Sequence, residues 1–228
     1  MKCCWLNKQN NENLIVFFAG WSFDEIPFQN LSAQNYDILF VYDYNNLAIP
    51  EELKNINSYK NKILITWSMG VFVAYLLKDL FSDFTQKMVI NGTVTPVDNE
   101  FGIPVKMFEL TLKHAQIGLR GKFYQNVFKT EEEYNLYTQR PVKRSIENRV
   151  SELECLYNLI KNNPNTIYEK FYDKAIVSDF DKIIPPKNQI ASHKKNDVQI
   201  INLPYGHFPF YNFSSWSEIG RASCRERV

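Results

Sequence analysis

The chain has 228 residues, 45% of them hydrophobic, enough for one globular domain with a buried core. Its 26 basic and 25 acidic residues leave a formal charge of +1, so no overall charge draws it to nucleic acid or to a membrane surface. Aromatic residues make up 15%, a content that suits a dense core, an apolar ligand tunnel, or both.

The opening, MKCCWLNKQNNENL, turns polar at once and lacks a signal-peptide apolar run. No stretch reaches the roughly 20 apolar residues of a membrane span, so a cytoplasmic protein is expected. Cys3, Cys4, Cys155 and Cys224 have neither zinc-site nor disulfide-framework spacing and read as reduced thiols.

The first strand-like run is residues 14–19 (LIVFFA), followed by Gly20-Trp21-Ser22. Next come residues 37–42 (DILFVY) and residues 63–67 (ILITW). The third run passes with almost no loop through Ser68-Met69-Gly70 into an apolar helical pattern. Residues 87–91 (KMVIN), 174–178 (KAIVS) and 198–203 (VQIINL) complete the set. Continuous apolar runs of this length suit strands buried on both faces, and the spacing predicts a doubly wound, mostly parallel α/β sheet.

Residues 93–165 are too long for a simple crossover and carry helical patterns. In residues 142–161, Ile146, Val150, Leu153, Leu156, Tyr157 and Ile160 fall on one helical face, between Pro141 and Pro164. An inserted helical cap is expected there, on a single domain spanning residues 1–217. The final EIGRASCRERV differs abruptly in composition from the body and is expected to be a read-through tail, residues 218–228, outside the fold.

A strand that turns tightly into a helix at a serine raises that serine above the carboxyl edge of the sheet. Here the G-x-S-x-G pattern is Thr66-Trp67-Ser68-Met69-Gly70, with threonine in place of the first glycine. A serine hydroxyl needs a histidine to take its proton and a carboxylate to orient that histidine. Of the three histidines, His114 lies in the cap and His193 in a stretch, SHKKN, that reads as solvated. His207, in PYGHFPF after the last strand, has the position a base requires. The acid is Asp181 or Asp179; Asp181 is favoured because Pro185 follows it four residues on, in a D-x-x-x-P strand ending. The backbone N–H groups of Met69 and Trp21 are the expected oxyanion hole, and the Trp21 ring is a candidate wall of an acyl pocket.

GWSFD, YDY at Tyr42-Asp43-Tyr44, WSMGV, NGTVTPVDNEFGIP and GHFPF together resemble the BioG-type pimeloyl-carrier-protein methyl ester esterases, within the α/β-hydrolases. The resemblance covers nearly the whole chain, and the NGT-to-GIP segment is its most specific part. It implies an α/β-hydrolase fold and hydrolysis of the methyl ester of pimeloyl-acyl carrier protein in biotin synthesis. Ser68 would be the nucleophile, His207 the base and Asp181 the acid, with no metal or organic cofactor. Two departures stand beside the site: Ser22 where the family usually has glycine, and Thr66 where it has a smaller residue. The implied partner is an acidic carrier protein, for which Arg140, Lys143 and Arg144 form a basic stretch on the cap. Neither nucleic acid nor membrane is expected as a partner, and the chain is expected to act as a monomer. A generalist short-acyl carboxylesterase or thioesterase would use the same triad, and an inactive hydrolase-like binding protein would share the fold.

Overall fold

The computed structural model describes residues 1–164 and 169–222. Seven strands form one sheet: β1 (Lys2–Asn7), β2 (Asn13–Phe18), β3 (Tyr36–Tyr42), β4 (Asn61–Trp67), β5 (Gln86–Ile90), β6 (Lys174–Ser178) and β7 (Gln199–Leu203). Their order is β1-β3-β2-β4-β5-β6-β7; β1 runs antiparallel to β3 and every other pair is parallel. The six runs read from the sequence all lie in this sheet, with ends shifted by a residue or two. The edge strand β1 was not foreseen. An edge strand needs only one neighbour and one covered face, so KCCWLN carries no continuous apolar run, and its residues are mostly half-buried.

Leu14, Ile15, Val16, Phe17 and Phe18 of β2 are fully buried, because β2 lies inside the sheet with β3 and β4 on either side. After β2 the chain steps to β3 on one side and then crosses back to β4 on the other, without a long helix between β2 and β3. The carboxyl ends of β2 and β4 therefore flank a topological switch point, where α/β sheets place their ligands.

The helices are α1 (Glu51–Lys54), α2 (Met69–Leu76), α3 (Val105–Gly118), α4 (Lys122–Val127), α5 (Glu131–Gln139), α6 (Ile146–Asn162), α7 (Pro186–Lys195) and α8 (Trp216–Ala222). Helix α2 is buried from Met69 to Tyr75, which explains its apolar character all round. Helices α3 to α6 occupy the long insertion between β5 and β6. Leu153 and Leu156 of α6 are buried, and Ile146, Val150, Tyr157 and Ile160 pack partly buried beside them, the face read from the sequence. Ser145 caps α6 by accepting from the Asn148 N–H, and Thr130 caps α5 by accepting from the Glu133 N–H. Helix α8 buries Ile219 and runs to Ala222; the remainder of the expected tail lies outside the described residues. No helix among the described residues is long and apolar enough to cross a membrane.

The solvated reading of His193 is corrected by the structure. His193 lies on α7 and is buried, and that burial lowers its pKa to about 4, against a weaker opposing hydrogen bond with the Gly92 backbone. A histidine held neutral in the fold and free to protonate when unfolded removes stability as pH falls below its unfolded value of about 6.5, until its folded value is passed. We expect this group to contribute a loss of about 2 to 3 kcal/mol between neutral pH and pH ~4.5. Urea unfolding of wild type and His193→Gln at both pH values reads it out: the variant should show a shallower decline. Parallel declines would contradict the assignment.

Candidate active site

The site is built where β2 and β4 end. Ser68 follows β4 with φ 56° and ψ −125°, a left-handed conformation that costs a non-glycine residue of order 1–3 kcal/mol. Close packing holds it there. A Cβ on Gly70 would lie 2.5 Å from the carbonyl oxygens of both Phe18 and Ala19, and one on Gly92 would lie 2.6 Å from the Ser68 carbonyl oxygen. The Ser68 N–H donates to the Ile90 carbonyl at 3.1 Å, tying the turn to β5. Thr66, the larger residue beside the turn, is accommodated by the sheet: it is fully buried and its hydroxyl donates to the Met88 carbonyl at 2.9 Å.

His207 Nε2 lies 2.9 Å from Ser68 Oγ, and His207 Nδ1 lies 2.8 Å from Asp181 Oδ2. All three side chains are buried. Asp181 accepts four hydrogen bonds in all. Its Oδ1 takes the N–H groups of Ile183 and Ile184, at 2.8 and 2.9 Å, while Oδ2 takes Gln189 Nε2 at 2.8 Å as well as the histidine. Asp179 faces outward, accepting from Asn202 at 3.1 Å, and makes no contact with the histidine. His114 is exposed on α3 and His193 is buried on α7.

The loop that presents His207 is fixed from behind. Its carbonyl accepts from Trp67 Nε1 at 2.8 Å and from Asn91 Nδ2 at 3.0 Å. Asn91 also donates to Gly206 O and Ser178 Oγ, and its Oδ1 accepts the Ser178 N–H, so one buried amide joins β5, β6 and the histidine loop. Asn91 had no role assigned from the sequence; the signal there is Asn-Gly directly after an apolar strand run, and the structure holds Asn91 at φ 43°. Further along, a Cβ on Gly102 would meet the Thr95 carbonyl oxygen at 2.2 Å, and Asn188 Nδ2 donates to Gly102 O at 2.8 Å. The NGT-to-GIP stretch thus closes as a tight loop whose glycine has no room for a side chain.

The amides of Met69 and Trp21 lie on the two sides of the switch point, Met69 opening α2 and Trp21 following β2. Among the described residues, neither donates to another backbone or side-chain acceptor. Ser22 has φ 73°, the conformation that explains a preference for glycine here, yet its side chain is engaged: Oγ lies 3.1 Å from Tyr124 Oη. The Trp21 indole donates to the Arg149 carbonyl at 2.7 Å, and its ring meets Phe123 edge-on at 4.8 Å.

Beside Trp21 opens an apolar cleft of about 400 Å³, lined by Ile103, Met107, Leu119, Phe123 and Ile183, with Lys122 and Lys182 among its lining residues. Its lining holds Ile183, whose N–H donates to Asp181, and Trp21, but neither Ser68 nor His207.

The basic stretch expected to meet a partner divides. Arg140 and Lys143 are exposed. Arg144 is not available: its side chain is buried, 2.9 Å from Glu152 Oε2 and 3.2 Å from Asp43 Oδ1, and it donates to the Phe23 carbonyl. Its sequence neighbours give no sign of this, because Asp43 comes from just after β3 and Glu152 from two turns inside α6. Asp43, despite the cost of burial, is lowered to a pKa of about 2 by Lys2, Asn45 and Arg144.

Residues 1–219 match the family described as Pimeloyl-ACP methyl esterase BioG. A stretch of 188 residues, 81% of the chain, is 31% identical to a Bacteroides fragilis (strain 638R) protein named Malonyl-[acyl-carrier protein] O-methyltransferase. The match covers only 38% of that protein's own length. An uncharacterized protein of Haemophilus influenzae is 30% identical over 91% of this chain and 94% of its own. The crystal structure of BioG from Haemophilus influenzae superposes with a TM-score of 0.84 at 28% identity, over 96% of this chain and 99% of that one. A lipase-esterase related protein from Clostridium acetobutylicum, at 14% identity, a TM-score of 0.62 and coverage of 97% and 96%, shares the α/β-hydrolase fold.

Proposed function

From the chain's membership of the Pimeloyl-ACP methyl esterase BioG family, we propose that it hydrolyses the methyl ester of pimeloyl-acyl carrier protein, in the cytoplasm and as a monomer. The observation that carries this reading is the unbroken chain Asp181–His207–Ser68 at the switch point, with contacts of 2.8 and 2.9 Å. Ser68 Oγ attacks the ester carbonyl carbon while His207 Nε2 takes its proton. The Trp21 and Met69 amides receive the developing oxyanion. Methanol leaves with the proton from His207. Water, deprotonated by the same imidazole, then attacks the acyl-serine, and the free carboxylate departs as Ser68 regains its proton. Ester and water are thus converted to acid and methanol with no other reactant.

The 400 Å³ cleft is of the size and apolar character that suit an acyl chain, and Lys122 and Lys182 suit an anionic group carried by the substrate. The name of the Bacteroides relative is also consistent, since an O-methyltransferase acting on a carrier-bound acid makes the class of methyl ester that this reading takes as substrate. Carrier docking falls to Arg140 and Lys143, the exposed members of the basic stretch.

The test compares carrier-bound pimeloyl methyl ester with a small soluble ester. Wild type should turn over both. Arg140→Glu with Lys143→Glu should slow the carrier-bound substrate about tenfold while leaving the small ester within about twofold, since charged rims act mainly on encounter. Equal loss on both would remove the docking role. Absence of turnover on the carrier-bound ester by wild type would contradict the substrate.

A further inference from the structure

Glu152 is fully buried in the cap, on α6, yet its carboxylate reaches two loops of the sheet. Oε2 accepts the Ser22 N–H at 3.1 Å, and Oε1 accepts the Tyr44 N–H at 2.9 Å. Arg144 lies 2.9 Å from Oε2. Burial pushes the carboxyl above its ordinary range, against the pull of Arg144 and the two amides. A charged group taken wholly out of water is costly to retain unless every lone pair is answered, and breaking such a set costs more than its net contribution.

What these contacts surround is the Trp21 peptide. On its near side, the Ala19 carbonyl accepts from Tyr44 Oη at 2.7 Å, and the Ala19 N–H donates to Val41 O at 2.9 Å. On its far side, Glu152 holds the Ser22 N–H, with Ser22 at φ 73°. The Trp21 indole is fixed to the Arg149 carbonyl one turn earlier on α6. Arg149 also donates to Tyr124 Oη, which in turn meets Ser22 Oγ. One carboxylate therefore joins both ends of residues 19–22: directly at Ser22, and through Tyr44 at Ala19. The amide between those ends is that of Trp21.

Building on the hydrolase reading above, we propose that Glu152 is a positioning residue for the oxyanion-binding amide of Trp21, so that the start of helix α6 is a fixed part of the active site. Glu152 touches no reacting atom; it acts by holding the loop that does. The carboxylate is specifically required, because Ser22 and Tyr44 each donate to a different oxygen. A glutamine at the same place offers one acceptor oxygen, and its NH₂ would face the remaining backbone donor.

The experiment is steady-state kinetics of Glu152→Gln on a small ester, with inhibition by a boronic acid that mimics the tetrahedral intermediate, each normalised to the folded fraction from near-ultraviolet circular dichroism. The expected result is a loss of kcat of about 10- to 100-fold, smaller than or comparable to deleting one oxyanion donor, with KM within twofold. Boronate affinity should fall by the same factor as kcat/KM. Unchanged kcat per folded molecule, or a rise in KM alone, would overturn the proposal. Tyr44→Phe, which loosens the other end of the loop while keeping the ring, provides a second reading should Glu152→Gln not fold. Its kcat should fall by about threefold to tenfold in step with boronate affinity, and an unaltered value would overturn the proposal equally. Wild-type turnover retained in Ser68→Ala would instead remove the hydrolase reading on which the proposal rests.

Discussion

Replacing Asp181 by asparagine is expected to reduce kcat by about 10⁴-fold while the protein folds and binds substrate. The reason is the saturation of this carboxylate: four donors converge on its two oxygens. An asparagine can answer only one pair. If its oxygen stays with the Ile183 and Ile184 amides, its NH₂ points at His207 Nδ1. The imidazole then has to present Nδ1 as an acceptor, which places its proton on Nε2, facing Ser68 Oγ. In that tautomer it cannot take the serine proton. The opposite orientation leaves two backbone donors facing NH₂ and displaces the loop after β6. Ser68→Ala should lose as much or more, since no nucleophile remains. Steady-state kinetics of both variants on a small ester check this; an Asp181→Asn enzyme within tenfold of wild type would contradict the role given to the carboxylate.

The largest effect on stability is expected at Gly70. Its added Cβ would stand 2.5 Å from two backbone carbonyl oxygens, those of Phe18 and Ala19, and neither belongs to a flexible side chain. Those residues are fully buried at the end of the interior strand β2. Relief would require α2 and β2 to separate, opening the core along the whole helix. Gly70→Ala should therefore destabilise the protein by about 3 kcal/mol or more, at the upper end for overpacking a rigid core. The folded fraction should also lose activity, because β2 leads directly into Gly20 and Trp21. The urea unfolding midpoint measures the first effect; a shift equivalent to less than ~0.5 kcal/mol, the range of ordinary surface substitutions, would show that the turn is not packed as described.

Much of this was legible in the sequence because it depends on local pattern and chain order. Buried parallel strands reveal themselves as apolar runs, and six of the seven did so. Ser68, Asp181 and His207 are legible by their positions after β4, β6 and β7, and the structure brings the three together; the choice of Asp181 over Asp179 follows from a proline four residues on. The features that escaped depend on distant partners. Strand β1 is half-exposed and has no run to see. His193 sits among lysines in a stretch that reads as solvated, yet the helix turns it inward. Arg144 reads like its exposed neighbours, yet the fold brings it to Asp43, about a hundred residues earlier, and to Glu152 on the helix that follows it. The same holds for Glu152, which stands between Ser151 and Leu153 in an amphipathic helix. Nothing in its local sequence indicates that it leaves water to hold the amides of Ser22 and Tyr44.

Ser68, served by His207 and Asp181, is proposed to cleave the methyl ester and to leave the thioester to the carrier intact. Mass spectrometry of the carrier after incubation of pimeloyl-acyl carrier protein methyl ester with wild type and with Ser68→Ala tests it most directly. Wild type should convert the carrier to its free-carboxyl pimeloyl form with release of methanol, and Ser68→Ala should leave it unchanged. Appearance of the carrier stripped of its acyl chain, or conversion by Ser68→Ala at the wild-type rate, would contradict it.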